Sequence, residues 1–201
     1  MPTGKTGITF DEVMSGGFSL GETDTTTGAA KGSNSVLTMH GTVTIDDIDA
    51  FIAEPGHLGR LDVVMDWPPF GTGLPAPGGI FNLFSPSGDP KLKLMVYEWA
   101  VTHDGVDYYF AGQKNVQEHP VLELWHDTTT LHTLLHQGKD KTGPVIGAGI
   151  ISLSFQQLLK MGGHFKPLNA GSAAEGAEAI AKFGKFFMGE LWGTYIKRAG
   201  A

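Results

Sequence analysis

The alternation of apolar and polar side chains over residues 35–52 constrains the fold of this chain most. In its first half every second residue is apolar or glycine, and threonine or histidine stands between them. A period of two is typical of a strand with one face on a core and the other in water. Asp46 can then cap a short helix that places Ile48 and Phe51 on its apolar side. We therefore expect a strand followed by a short helix.

Similar alternation recurs along the chain. The phrase over 145–159 repeats the pattern of strand, polar cap and helix, and 61–67 alternates with one exception. Residues 92–102 and 106–114 flank an Asp-Gly pair, which is a strong signal for a β-hairpin. Further strands are expected over 10–20, 80–84, 121–125 and 128–136. The remaining stretches, 21–35 and 68–79, are interpreted as polar or Pro/Gly-rich connections, the second bordering a functional face.

Composition supports a single β-rich domain over residues 1–201. Only 17% of the residues are charged and 29 are glycine, which suits short strands and tight turns. We predict a mainly β fold, an antiparallel barrel or sandwich of about eight strands with short helices. Residues 1–8 are interpreted as a loose lead-in, and 172–198 as one long C-terminal helix.

The C-terminal helix has more than one apolar side. Its start, Ser172 to Glu175, fits a capping box. The main apolar stripe is expected to pack across the sheet or the barrel mouth. Phe186, Met188 and Trp192 fall off that stripe, so an alternative is that they contact a partner protein or a second copy of the chain.

The charge balance excludes several partners and sites. With a formal net charge of −7 and a pI near 5.5, binding to nucleic acid or to an anionic membrane surface is not expected. The chain has no cysteine, which removes disulfides and thiolate chemistry. There is no signal-like start and no apolar run that would span a membrane, so a cytoplasmic location is expected. No nucleotide-binding fingerprint is present, and no cofactor is predicted.

Catalytic and metal motifs are weak. The G-x-S-x-G match at 17–21 lacks the helix that a hydrolase nucleophile needs, so Ser19 is interpreted as part of a strand end. His126, His132 and His136 would share a strand face, but the first two stand too far apart to share one ion. Asp46, Asp47 and Asp49 lack the rest of a calcium loop. No metal site is predicted.

The aromatic residues of the central strands carry the functional hypothesis. Tyr97 and Trp99 share one strand face, and Tyr108 and Phe110 share a face of the partner strand, with Phe81 on a neighbouring strand. They pack a core or line a pocket for an apolar ligand.

Three titratable groups lie on the same hairpin. Glu98 is a candidate base if it is buried. Asp107 and Lys114 are expected to be solvated or paired.

Several phrases of the chain resemble a known family. EVMSGGFSLGETD, LTMHGTVTIDDIDAFI, GIFNLFSPSGDPKLKLMVYEW and FGKFFMGELWGTY, within residues 10–195, are similar to a β-rich module. That module accompanies some large bacterial flavoproteins of the glucose–methanol–choline (GMC) oxidoreductase class, the cholesterol-oxidase-like ones. The resemblance implies an accessory or stand-alone relative that handles sterol-like or lipid substrates. It implies no catalytic residue.

The sequence therefore predicts a non-catalytic barrel that binds an apolar small molecule, associated with a GMC-type oxidoreductase. The alternative is an interaction protein that self-associates or docks a partner through its C-terminal helix. A small cofactor-free enzyme that uses Glu98 or a histidine is a third and less supported hypothesis.

Overall fold

The computed structural model describes residues 5–89, 91–117, 129–153 and 165–195. The strands are β1 Gly7–Leu20, β2 Val36–Ile45, β3 Leu58–Trp67, β4 Gly71–Pro86, β5 Leu92–His103, β6 Val106–Gln117, β7 Thr130–Gln137, β8 Val145–Leu153 and β9 Lys166–Leu168. The helices are α1 Thr25–Lys31, α2 Ile48–Ala53 and α3 Ala173–Tyr195. The predicted strand over 121–125 and the second helix over 154–159 lie outside the described residues.

Eight antiparallel strands close into a barrel. Consecutive strands pair from β1 to β8, and β8 pairs back to β1. Since every strand of the ring has two neighbours, the barrel buries the backbone groups that an open sheet would expose at its edges. The predicted mainly β, antiparallel barrel of about eight strands with a long C-terminal helix is confirmed.

Strand β1 closes the ring with two partners on one edge. Its second half, from Met14 to Leu20, pairs with β8, and Gly7–Thr9 at its start pair with β9. The predicted lead-in over residues 1–8 is therefore wrong at its end. Ile8 is a fully buried core residue of β1, because a strand that closes a barrel buries its inward side chains from its first residues onward.

The hairpin of β5 and β6 turns at Asp104 and Gly105, as predicted. Both residues have positive φ, 50° and 76°, and His103 pairs with Val106. A two-residue turn of this kind matches the twist of the flanking strands, which explains why aspartate and glycine stand here. It fixes the register that places Tyr97, Trp99 and Phe110 on the inner face.

The Pro/Gly-rich stretch over 68–79 is mostly strand rather than a connection. Bulges between β3 and β4 accommodate it, with Gly73 and Gly78 at φ 69° and 74°. The carboxylates of Asp66 and Asp62 on β3 accept hydrogen bonds from these two glycine N–H groups, at 2.7 and 2.9 Å. The interpretation as a connection was wrong because side chains on the neighbouring strand, which no local pattern reveals, stabilise the irregular backbone.

The connection over 21–35 contains a helix. Asp24 caps α1 by accepting from the Thr27 N–H, and the helix lies against the outer face of β1 and β8, where Ser19 donates a hydrogen bond to the Gly28 carbonyl. The helix after β2 is also capped one residue later than predicted. Asp47, not Asp46, accepts from the Ala50 N–H.

Helix α3 covers the end of the barrel where β1 begins. Ser172 accepts from the Glu175 N–H, and the Glu175 carboxylate reaches back to Gly171 and to the Thr6 hydroxyl. Ser172 therefore caps the helix as predicted, but Glu175 bonds to the N–H of Gly171 rather than to that of Ser172, as the capping box requires. The Thr6 bond fastens the helix start to the residue before β1. Phe183 packs among the rings of β1 and α2. No helix within the described ranges is long and apolar enough to cross a bilayer.

The half of the barrel interior away from α3 is filled by aromatic rings. Trp99 and Phe110 stack with ring centroids 5.0 Å apart and planes within 4°. Phe18 contacts both Trp67 and Phe110, and Phe70 closes this end. We call Phe18, Trp67, Trp99 and Phe110 the aromatic half; all four are fully buried. Any site inside the barrel lies between these rings and α3.

Candidate functional site

Three polar side chains point into the barrel between the aromatic half and α3. Glu12 lies on β1, Tyr97 on β5 and Lys114 on β6, each in phase with apolar inward residues of its own strand. They are 4%, 3% and 2% exposed. Charged side chains at this depth are rare in proteins unless they are paired or have a function. These three residues are the polar cluster of the barrel.

Tyr97 links the two charged members of the polar cluster. Its hydroxyl interacts with the Glu12 carboxyl closely enough to lower the pKa of that carboxyl, and the Lys114 ammonium nitrogen lies 4.7 Å from the centroid of its ring. Lys114 reaches the ring because it pairs with Met95, two residues before Tyr97 on the inner face of β5. The phenol therefore lies between a carboxyl group and an amine, where it contacts both.

Burial shifts the pKa values of the cluster toward uncharged groups. Loss of solvation raises the pKa of Glu12, and the Lys114 charge and the Tyr97 hydrogen bond oppose this only in part. Loss of solvation likewise lowers the pKa of Lys114. The pKa of Tyr97 is raised by burial and by the Glu12 carboxylate. A carboxylic acid, a phenol and an amine can donate, accept and exchange protons with a bound molecule.

Two polar atoms of the interior have no hydrogen-bond partner among the described residues. They are Oε1 of Glu12 and the indole Nε1 of Trp99. Trp99 follows Tyr97 by two residues on the inner face of β5, about 7 Å along the strand. A buried polar atom without a partner costs about 1 to 3 kcal/mol. In native proteins such an atom is explained by local strain, by an ordered water or ion, or by a functional role.

The five aromatic residues predicted for a ligand pocket all lie on the inner face of the barrel. Phe81 packs edge-on against Tyr97, with centroids 5.2 Å apart, and Trp99 and Phe110 belong to the aromatic half. Tyr108 lies at the far rim against Phe70. Tyr97 thus belongs to the polar cluster, Phe81 packs against it and Trp99 follows it by two residues on β5, whereas Tyr108 is distant from the cluster. Their contact with a ligand stays a prediction.

The sequence reasoning missed two members of the polar cluster. Lys114 was expected to be solvated or paired, and it is instead buried inside the barrel. Glu12 was not considered. Alternation carried the signal in both cases, since Lys114 is in phase with Phe110 and Glu12 is in phase with Phe10 and Met14. Glutamate and lysine are usually exposed, and that expectation was given more weight than the alternation that places both side chains on the inner face.

Glu98, the candidate base, faces outward. Tyr109 donates to one of its oxygens at 2.6 Å, and Lys141 donates to the other at 2.8 Å. The pKa of Tyr109 is raised, first by burial and then by this bond to Glu98. With both oxygens engaged on the outer wall, Glu98 has a structural role, and the enzyme hypothesis loses this candidate.

The other weak motifs also have structural partners. His132 shares a hydrogen bond with Thr25 and His136 with the Gly143 carbonyl, each at 2.8 Å, while His126 lies outside the described residues. Within the described ranges, no three histidine, aspartate or glutamate residues could hold one metal ion.

The surface between α2 and α3 holds a polar cleft of about 370 Å³. Its charges pair across the cleft, Lys5 with Asp47 at 3.0 Å and Lys182 with Asp49 at 2.9 Å. The Lys182–Asp49 pair joins α3 to α2, whereas the Lys5–Asp47 pair joins the residues before β1 to the cap of α2.

The residues predicted for a partner interface on α3 differ in position. Phe186 packs against Phe51, His57 and Phe84, whereas Met188 is 60% exposed. The side chain of Trp192 lies outside the described part. An interface through these residues stays a prediction.

Comparison with known proteins adds no assignment. No family model matches the chain, and neither a curated protein nor a solved structure is similar to it.

Proposed function

We propose that the barrel binds a small molecule with an apolar body and one polar group. The two unpartnered atoms, Glu12 Oε1 and Trp99 Nε1, are the observation that carries this proposal. A ligand oxygen beside the polar cluster satisfies them, and the rings of Phe81 and Trp99 contact its apolar part. Small-molecule sites in proteins have this composition, mostly apolar walls with a few converging polar groups.

The ligand enters from the end that α3 covers. Phe10, two residues before Glu12 on the inner face of β1, contacts Phe183 of α3, with ring centroids 5.8 Å apart. The other end is closed by the aromatic half and by short turns. A displacement of Phe183 opens the shortest path from solvent to Glu12.

Binding is tested by displacement of the fluorescent probe 1-anilinonaphthalene-8-sulfonate with 1-decanol. We expect 1-decanol to displace the probe from the wild-type protein. Glu12→Leu, which keeps the volume and removes the polar group, should weaken 1-decanol binding by about tenfold or more, because the ligand hydroxyl then lacks a partner. Native mass spectrometry of the purified protein tests in parallel for a ligand that is retained from the cell.

Glu178→Gln is the matched control. Glu178 lies on the exposed side of α3 in a pair with Lys182, so this variant should bind 1-decanol as the wild type does. Unchanged affinity in Glu12→Leu, or no displacement by 1-decanol at all, would contradict the proposal.

The predicted association with a GMC-type oxidoreductase and the predicted self-association stay predictions. Light scattering of the wild type and of Trp192→Ala tests the second. A purified flavoprotein of that class, mixed with the protein in sedimentation experiments, tests the first.

A further inference from the structure

Lys114 differs from most of the surface lysines in having no carboxylate within ion-pair distance among the described residues. Lys5, Lys31 and Lys182 each lie within 3.0 Å of an acidic side chain, and most other described lysines have such a partner within 4.0 Å. Lys114 has none among the described residues, although it is 2% exposed. The ammonium group of Lys114 instead contacts the face of the Tyr97 ring.

Glu12 and Lys114 interact without touching. Each changes the pKa of the other through its charge, yet no ion pair within 4.0 Å joins them among the described contacts. A direct pair would satisfy both groups and leave neither for a ligand. The separation leaves the amine and Oε1 of Glu12 available to the same bound molecule.

We propose that Lys114 captures an aldehyde or ketone ligand covalently, as an imine, inside the barrel. This inference rests on the proposed function, since it specifies the polar group of the ligand as a carbonyl. A protonated Glu12 carboxyl and Trp99 Nε1 are donors suited to a carbonyl oxygen, and Glu12 Oε1 and Trp99 Nε1 have no hydrogen-bond partner in the described structure. An amine buried in an apolar site is uncharged for more of the pH range, and therefore nucleophilic.

The reaction balances with the groups present. The Lys114 nitrogen adds to the carbonyl carbon, and one of its protons passes to the oxygen to form a carbinolamine. The carboxyl group of Glu12 protonates that hydroxyl, which leaves as water while the C–N double bond forms. The products are a protonated imine, one water molecule and the Glu12 carboxylate, which is then the counter-ion of the iminium.

Reductive trapping with decanal and sodium cyanoborohydride tests this inference. The wild-type protein is incubated with one equivalent of decanal, the imine is reduced, and peptide mapping locates the added decyl group. We expect Lys114 to be labelled about tenfold faster than Lys139, although the Lys139 side chain is 86% exposed. Lys114→Arg keeps a cation and cannot form the imine, so it should lose the interior label, and Lys139→Met should keep it.

The outcomes separate the two proposals. One outcome is that the exposed lysines are labelled and Lys114 is not, while 1-decanol still displaces the probe. That result overturns the covalent step and leaves the proposed binding function standing. No interior label and no 1-decanol binding overturn both. Since the comparison of Lys114 with Lys139 is made within the wild-type protein, it does not depend on whether any variant folds.

Discussion

At the scale of single residues, two tryptophans of the aromatic half are in opposite hydrogen-bonding states. The indole of Trp67 donates to the Ser35 hydroxyl at 3.0 Å, whereas the indole of Trp99 has no acceptor among the described residues. Both side chains are fully buried and both stack on Phe110 or contact it. Comparing variants of the two tryptophans therefore separates the contribution of a hydrogen bond to stability from the contribution of ring packing.

Replacing each tryptophan by phenylalanine should give unequal losses of stability. Trp67→Phe removes a satisfied hydrogen bond and leaves Ser35 without its donor, whereas Trp99→Phe removes an unsatisfied N–H group. We expect Trp67→Phe to be more destabilising by about 1 to 2 kcal/mol, measured by urea unfolding. Equal losses in the two variants would mean that Trp99 Nε1 has a partner in solution.

Lys114 should give the protein a specific dependence of stability on pH. Burial lowers the pKa of Lys114 below 10.5, so between that lowered pKa and 10.5 the native state binds fewer protons than the unfolded chain. Its contribution to stability is present above 10.5 and is lost as the pH falls through the lowered pKa. In Lys114→Met the rise in unfolding free energy from neutral to alkaline pH should therefore be smaller than in the wild type.

The control for this measurement is Lys139→Met, because Lys139 is exposed and pairs only distantly with Asp107. Urea midpoints between pH 7 and 9.5 compare the three proteins. A wild-type slope that survives in Lys114→Met would show that another group titrates.

The inner position of the residues in the polar cluster was predictable, but their protonation was not. Strict alternation on β1 and β6 places Glu12 and Lys114 inside, so phase alone identifies them. Their meeting through Tyr97 depends on closure of the barrel, which brings β1 within reach of β5 and β6 across the interior. No local pattern encodes that distance, and it determines the pKa shifts.

At the scale of secondary-structure elements, α3 is held by aromatic side chains, by polar bonds near its two ends and by the Lys182–Asp49 pair between them. Phe183 is 5% exposed and contacts Phe10, Phe165 and Phe51. The Thr6–Glu175 bond fixes the start of the helix, and the Lys93–Glu190 bond fixes a position near its end. The helix is therefore a cover held by several aromatic side chains, of which Phe183 is the most deeply buried.

Truncation of that side chain should be far more costly than truncation of an exposed neighbour. We expect Phe183→Ala to cost about 3 to 5 kcal/mol and Met188→Ala to change stability by less than about 0.5 kcal/mol. Thermal unfolding followed by circular dichroism measures both. A comparable loss in Met188→Ala would indicate that Met188 is buried in an assembly, as the interaction hypothesis predicts.

Elements with a clear period were predicted, and those without one were not. The β5–β6 hairpin and α3 follow from a turn dipeptide, alternation and helical spacing. In β4, the Gly73 and Gly78 amides are hydrogen-bonded by aspartates on β3, and helix α1 packs through Gly28 against Ser19 of β1 and Ala148 of β8. Both are stabilised by contacts distant in sequence, which a local pattern cannot show.

At the scale of the whole molecule, the seam between β1 and β8 closes the barrel. Gly149 on β8 pairs with Phe18 on β1, and a Cβ at this position would lie 2.5 Å from a ring carbon of Phe18 and 2.4 Å from the Gly17 carbonyl oxygen. The strand-to-strand contact and the aromatic half therefore both depend on a residue without a side chain.

Gly149→Ala should destabilise the barrel by about 1 to 3 kcal/mol through overpacking. Gly184→Ala is the matched control, because Gly184 lies in α3 with open space at its Cβ position, and it should stabilise the helix by about 0.5 to 1 kcal/mol. Denaturant unfolding compares the two. A neutral Gly149→Ala would mean that the seam relaxes without loss.

The seam also has a consequence for synthesis. Among the strands of the ring, β1 is synthesised before the others and finds β2 almost at once, but its other edge waits for β8, since Met14 pairs with Leu153. Until then the nascent chain exposes unpaired strand edges and an inner face that carries most of the core. Chaperones that shield such intermediates should therefore increase the yield of this protein more than that of a helical protein of the same length.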